Sequence, residues 1–270
     1  MMAPSLQLKF VNKLAGQRVL VLGGTSGIGF AVASGALEHR ATVIVSSSKP
    51  EKVENAIKRL KDAYPDPDYH SRIAGYPCDL GNPEQLEQNL ISLLDQATEN
   101  RTALLDHIAV TAGDPISFSP IEDISLEYIH RTGNVRFVAP LILAKLARKY
   151  IKNVDSSSIT LTSGSGIFRP IPQWSVLIGY GAGLDGLRRS LSVELAPIRV
   201  NVVCPGVIRT EVFDNIQLEE REATLEKLAQ ETLLNRVGKP ENVAEAYLYF
   251  MKDTFATGAM VLSDGGKLVK

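Results

Sequence analysis

Seven short runs rich in Val, Ile and Thr punctuate the chain, and each of the first six is followed by a segment patterned as a helix. The runs cover residues 18–22, 42–46, 73–78, 106–111, 158–162, 199–204 and 260–263. They alternate only weakly between apolar and polar residues, as parallel strands covered on both faces do. Helical patterns cover 27–39, 50–63, 83–98, 139–152, 175–195 and 240–251. This alternation predicts one α/β domain over residues 1–270, a doubly wound parallel sheet of about seven strands. Residues 64–70 (YPDPDYH) read as a surface turn. The longest interruption, 205–239, carries a helical stretch near 219–234. Loops after the carboxyl ends of such strands border the ligand crevice, so this segment is a candidate lid or pocket wall.

Composition narrows the partners. Among 270 residues, 29 Lys and Arg stand against 30 Asp and Glu, a net charge of −1, so no basic excess favours nucleic acid or an anionic membrane. Apolar runs such as 138–144 fall far short of the ~20 residues of a membrane span. Residues 1–9 lack a basic segment followed by an apolar core and are not read as a secretory signal. Cys78 and Cys204 are too few for a disulfide framework, and His39, His70, His107 and His130 show no ligand spacing, so no metal is expected. The expected compartment is a reducing one, the cytoplasm.

The first run, ending Val19-Leu20-Val21-Leu22, leads into Gly23-Gly24-Thr25-Ser26-Gly27-Ile28-Gly29 and then into a helix of small residues. A strand that must turn sharply, present backbone N–H groups to a pyrophosphate and pack its helix closely needs glycine at those points. A tight strand-to-helix turn would use the same residues, but the position on the first strand and first helix favours a dinucleotide site. A carboxylate at the end of the second run would hold a ribose 2′-hydroxyl and repel a 2′-phosphate. Here Ser46-Ser47-Ser48-Lys49 offers hydroxyls and one ammonium, which points to NADPH/NADP+, while Ser48 can also cap the helix beginning at Pro50.

With these motifs the chain resembles the short-chain dehydrogenase/reductase family over about residues 15–267, which implies a Rossmann-like fold. Cys78-Asp79-Leu80 matches the acidic dipeptide whose aspartate approaches the adenine. Thr111-Ala112-Gly113 stands where the family has Asn-Ala-Gly, and Leu22 stands where a threonine is usual. Pro205-Gly206-Val207-Ile208-Arg209-Thr210 matches the segment that holds the nicotinamide carboxamide, with Thr210 in the contacting position. Arg236 to Glu241 and Asp264-Gly265-Gly266 match later landmarks.

The catalytic segment departs from that pattern. The family pairs a serine after its fifth strand with Tyr-x-x-x-Lys on the next helix. Ser163 supplies the serine, but aligning Leu184 to Leu191 with the family's helix puts Leu177 at the tyrosine and Gly181 at the lysine. Registering on Tyr180 instead puts Leu184 at the lysine, and no lysine lies between Lys152 and Lys239. Arg136 replaces the family's helper asparagine, with Asn134 two positions early on another helix face.

Ketone reduction creates an alkoxide and needs a proton donor, which contributes ~10²–10⁴-fold, whereas hydride neutralises an iminium without one. The residue set therefore points to an iminium as substrate. The departures resemble a divergent fungal branch of the family, the reductase/Diels–Alderases of bicyclo[2.2.2]diazaoctane indole alkaloids of the malbrancheamide and paraherquamide type. That resemblance implies NADPH-dependent iminium reduction in secondary-metabolite (alkaloid) biosynthesis, with a coupled [4+2] cyclisation. Gly166, where that group has an aspartate, and the intact Pro205-Gly206 depart from it.

Phe168, Pro170 and Trp174, with neighbouring Ile and Pro residues and Tyr180, suit a bulky apolar substrate or simply cover the core or an oligomer face. Arg131 and Arg136 could hold an amide or phosphate oxygen, although Arg131 is also placed to pair with Glu127. Asp114 could face a substrate cation or serve the turn before Pro115. Ser163, Arg131, Asp114 and Tyr180 are thus the catalytic candidates. Two other functions remain open, a carbonyl reductase using Tyr180 and Ser163 and a non-catalytic NADP(H)-binding protein. Family habit implies a homodimer or homotetramer through the helices at 139–152 and 175–195.

Overall fold

The β-branched runs form one seven-stranded parallel sheet in the order β3-β2-β1-β4-β5-β6-β7. The strands are β1 (Arg18–Leu22), β2 (Thr42–Ser47), β3 (Ile73–Pro77), β4 (His107–Val110), β5 (Ser158–Thr162), β6 (Arg199–Pro205) and β7 (Met260–Ser263). This is a computed structural model, and it describes residues 9–270 apart from Pro115 and Ile216. The expectations for the first eight residues and for the turn at Pro115 lie outside the described residues.

Parallel strands need crossovers, and helices supply them on both faces. On one face lie α1 (Gly27–Glu38), α2 (Pro50–Ala63) and, from the far end of the chain, α9 (Pro240–Lys252). Val19, Val21, Val43 and Val45 point to that side, packed with Val32, Leu37, Leu60, Tyr247 and Phe250. The alternate residues Leu20, Leu22 and Ile44 join the other layer. There they meet Leu90 and Leu94 of α4 (Leu86–Ala97), Leu143 of α6 (Ala139–Tyr150) and Leu184 of α7 (Ser175–Glu194). The period of two along each strand thus builds both cores at once.

Three segments depart from the sequence reading. Residues 64–70 are not wholly a turn, because Asp66 accepts the Asp68 N–H at 3.0 Å and nucleates the one-turn helix α3 (Pro67–His70). Between β4 and α6 the chain forms α5 (Leu126–Gly133), capped by the Ser125 hydroxyl, followed by a π-helical turn at Asn134–Val138. The 205–239 interruption holds α8 (Leu218–Gln230), which ends four residues before the expected helical stretch near 219–234 does.

β1 and β4 are neighbours, although the chain runs from β1 to β2 on one side and from β4 to β5 on the other. This is the topological switch point, and the crevice at the strands' carboxyl ends opens there.

Candidate cofactor and active site

The glycine turn is fixed by its neighbours on both sides. The N–H groups of Gly23 and Gly24 donate to the Ser46 carbonyl at 2.9 and 3.1 Å. Gly23 has φ +84°, and a Cβ there would stand 2.6 Å from the backbone nitrogen of Ala112. The turn therefore presses its backbone against the Thr111-Ala112-Gly113 segment, where no side chain would fit. Thr111 completes the clamp, its hydroxyl donating to the Leu22 carbonyl at 2.8 Å.

Ser26 is the N-cap of α1, its side chain makes no capping bond, and the first turn holds no acidic residue. The amides at this helix end are thus oriented to receive an anion. The Gly27 N–H does so, donating at 2.8 Å to the carboxylate of Glu211. The Glu211 carboxylate thus supplies an anion at the start of α1 from the protein's own chain. Thr25 is buried beneath the turn, and Ile28 packs against the core.

The remaining cofactor candidates lie at or beyond the carboxyl ends of β2, β3 and β6. Ser47 is half-buried, and Ser48 and Lys49 are exposed beyond β2. Lys49, not Ser48, is the N-cap residue of α2 and makes no side-chain capping bond. The capping role considered for Ser48 is therefore not taken, since the helix starts one residue after the position a Ser48 cap requires. Asp79 accepts the Gly81 N–H at 2.8 Å, and Leu80 is buried with its carbonyl accepting from the Asn134 side chain at 2.8 Å. Past Pro205, the Gly206 N–H donates to Ser263 at 2.9 Å, and Ile208 is buried. Thr210 returns to the glycine turn, its methyl 3.0 Å from where a Gly27 Cβ would stand.

The catalytic candidates divide between two faces of α7. Ser163 donates to the Gly181 carbonyl at 2.9 Å. One turn earlier, Leu177 lines a cavity of about 300 Å³ with Asp114, Ile116, Arg131, Thr132 and Arg136. Tyr180 is elsewhere. Its ring lies against Gly133, filling the space a Cβ would need, and packs 5.6 Å from the ring of Phe137 at a 42° tilt. Arg131 forms no ion pair with Glu127 among the described residues and lines the cavity instead.

Arg136, in the sequence a replacement for the helper asparagine and a candidate for holding an amide or phosphate oxygen, also lines this cavity. Its guanidinium donates to the Asp114 carbonyl and lies under Gly113, where a Cβ would come 2.5 Å from it. Burial raises the Asp114 pKa, with Arg136 pulling the other way. Burial also lowers the Arg136 pKa, opposed by Asp114. A cation and an anion thus flank an apolar wall.

Trp174 stacks on Phe118, centroids 5.2 Å apart, and the Ser119 N–H donates to the Gln173 carbonyl at 3.2 Å. These contacts tie the loop after β4 to the loop before α7. Phe168 is exposed, and Pro170 borders a separate groove of about 450 Å³ with Ile171, Glu231 and Lys267. No group of three or more His, Cys, Asp or Glu residues among the described residues is arranged to hold a metal ion. None of the described helices is long and apolar enough to cross a membrane.

Comparison with known proteins agrees with this fold. Residues 10–270 match the family model described as an SDR-like Rossmann domain. The chain is 40% identical over 269 residues to short-chain dehydrogenase/reductase malC of Malbranchea aurantiaca, covering 100% of both. It is 39% identical over 258 residues to ucsE of an Acremonium species, covering 96% of this chain and 97% of that one. The solved structure of MalC reductase/Diels–Alderase superposes with a TM-score of 0.90, covering 96% of this chain and 99% of MalC. A seven-stranded sheet with its glycine turn at the switch point, matched over its whole length, establishes that the chain belongs to the short-chain dehydrogenase/reductase family.

Proposed function

We propose that the protein is an NADPH-dependent reductase of an iminium intermediate in fungal indole-alkaloid (secondary-metabolite) biosynthesis. The carrying observation is that Leu177, which the register on Leu184 to Leu191 aligns with the family's tyrosine, puts an apolar side chain in the cavity wall. Gly181, aligned with the family's lysine, offers Ser163 only a backbone carbonyl. A neutral carbonyl reduced here would have no matched acid for its alkoxide. An iminium has no such need, because hydride arrival removes its charge.

Gly23, Thr25, Ser26, Gly27, Ile28 and Gly29 would hold the diphosphate, and Ser47, Ser48 and Lys49 the 2′-phosphate. Asp79, Leu80, Thr111, Ala112 and Gly113 would border the adenosine side, and Pro205, Gly206, Ile208 and Thr210 the nicotinamide. When bound, that group supplies the hydride. The Asp114 carboxylate would stabilise the substrate cation, Arg136 would fix the Asp114 main chain, and Arg131 would take a substrate carbonyl. Leu177 and Ile116 would exclude water from the reacting face.

MalC is described as a reductase/Diels–Alderase, and a coupled [4+2] cyclisation is proposed for this chain on that likeness alone. We further propose a cytoplasmic homodimer or homotetramer, for which exposed Leu141 and Val138 at the start of α6 supply apolar surface.

The test is NADPH consumption with a preformed cyclic iminium and with the ketone of the same carbon skeleton. Turnover of the iminium alone is expected. Turnover of the ketone would overturn the assignment.

A further inference from the structure

Glu211 opens a short 3-10 turn immediately after Thr210, 184 residues from the glycine turn it reaches. Its two carboxylate oxygens meet different donors. Oε2 accepts the Gly27 N–H at 2.8 Å, and Oε1 lies 3.8 Å from Nη2 of Arg59 on α2. Arg59 is itself held in place. Its guanidinium lies 4.1 Å from the centre of the Phe30 ring, and Nη1 approaches the Thr25 carbonyl at 3.4 Å. A backbone amide at a helix N-terminus and a stacked guanidinium therefore converge on one anion.

We propose that Glu211 is a built-in occupant of the cofactor's phosphate seat, and that Arg59 is a further cofactor-binding residue. The carboxylate and a diphosphate cannot share the seat, because like charges at such separations repel and compete for the same donors. Cofactor binding is then an exchange. The diphosphate takes the Gly27 N–H and the Arg59 guanidinium, and Glu211 swings out to solvent. In the free protein Glu211 balances the charge of the turn and tethers the start of the 211–230 segment across the crevice.

The ion pair contributes little by itself, since both side chains are about half exposed, 42% and 45%. The bond to Gly27 is charge-assisted and sets the size of the competition. Removing the carboxylate should tighten cofactor binding by about three- to tenfold, the effect of losing one such bond in a partly solvated site. The inference rests on the family's dinucleotide and is independent of the iminium assignment.

The experiment is equilibrium titration of NADPH and of NADH by fluorescence, with inorganic pyrophosphate as a competing probe and thermal melting as the fold control. Glu211→Ala is expected to tighten both dinucleotides and pyrophosphate together. Arg59→Met is expected to weaken all three. Unchanged or weaker binding in Glu211→Ala, with melting like the parent, would overturn the proposal. Should Glu211→Ala melt early, Glu211→Gln decides. It keeps the size and one acceptor but drops the charge, so tighter binding supports the exchange and unchanged binding rejects it.

Discussion

Arg136 donates to the main-chain carbonyl of Asp114 and, in doing so, occupies the space a side chain at Gly113 would need. The two contacts fix where the Asp114 carboxylate begins its reach into the cavity beside Leu177. Replacing Arg136 with Met keeps most of the volume and removes the donor. Turnover of the iminium should fall roughly tenfold, the cost of one lost charged hydrogen bond, with NADPH affinity unchanged within about twofold. Steady-state kinetics and a cofactor titration on the same preparation separate the two effects.

The carboxylate itself should matter more. Asp114→Asn is isosteric and leaves the backbone contact to Arg136 intact, so it tests charge alone. Iminium turnover is expected to drop by roughly 10²-fold, the scale at which a preorganised electrostatic partner acts. Burial raises the Asp114 pKa, so its ionised form is lost as pH falls through that raised value, earlier than for a solvated aspartate. Turnover in the parent should therefore decline on the acid side, and Asp114→Asn should lack that limb.

Much of this arrangement was legible in the sequence, and what was missed has identifiable causes. Parallel strands buried on both faces leave a β-branched signal that is hard to mistake, and the glycine turn announces itself by spacing. The Arg136 geometry was hidden because helix faces were assigned at 3.6 residues per turn. The π-helical turn at Asn134–Val138 inserts an extra residue and changes which side chains share a face. Asn134 consequently turns inward to the Leu80 carbonyl, while Arg136 reaches Asp114. The Glu211 and Arg59 contacts were invisible for another reason. Each residue alone reads as a solvated charge, and only the fold brings them to Gly27.

Tyr180→Phe distinguishes hydride delivery without a tyrosine from the carbonyl-reductase alternative. The ring packs on Gly133 and Phe137, and phenylalanine preserves that packing. Iminium turnover should stay within about twofold of the parent, because the substitution removes no packing volume. A loss of about 10²-fold or more, the scale of a general acid, would make Tyr180 the proton donor.

A stability profile against pH tests the buried polar centre of the sheet. His107 is fully buried, with Nδ1 2.8 Å from the Ser158 hydroxyl and Nε2 2.7 Å from the Gln17 side-chain oxygen. Burial lowers its pKa to about 3, and Arg199 and Lys152 push the same way. The unfolded chain instead takes up this proton near pH 6.5. Between those two values the unfolded state binds the extra proton, so stability contributed by neutral His107 is full above pH 6.5 and drains as pH falls toward 3. The limiting slope is about 1.4 kcal/mol per pH unit for one proton. His107→Gln, which can keep a donor and an acceptor in the same site, should lower stability at pH 7.5 yet flatten the slope below pH 6.5. Denaturant melts at a series of pH values measure both, and an unchanged slope in the variant would show that other groups carry the acid sensitivity.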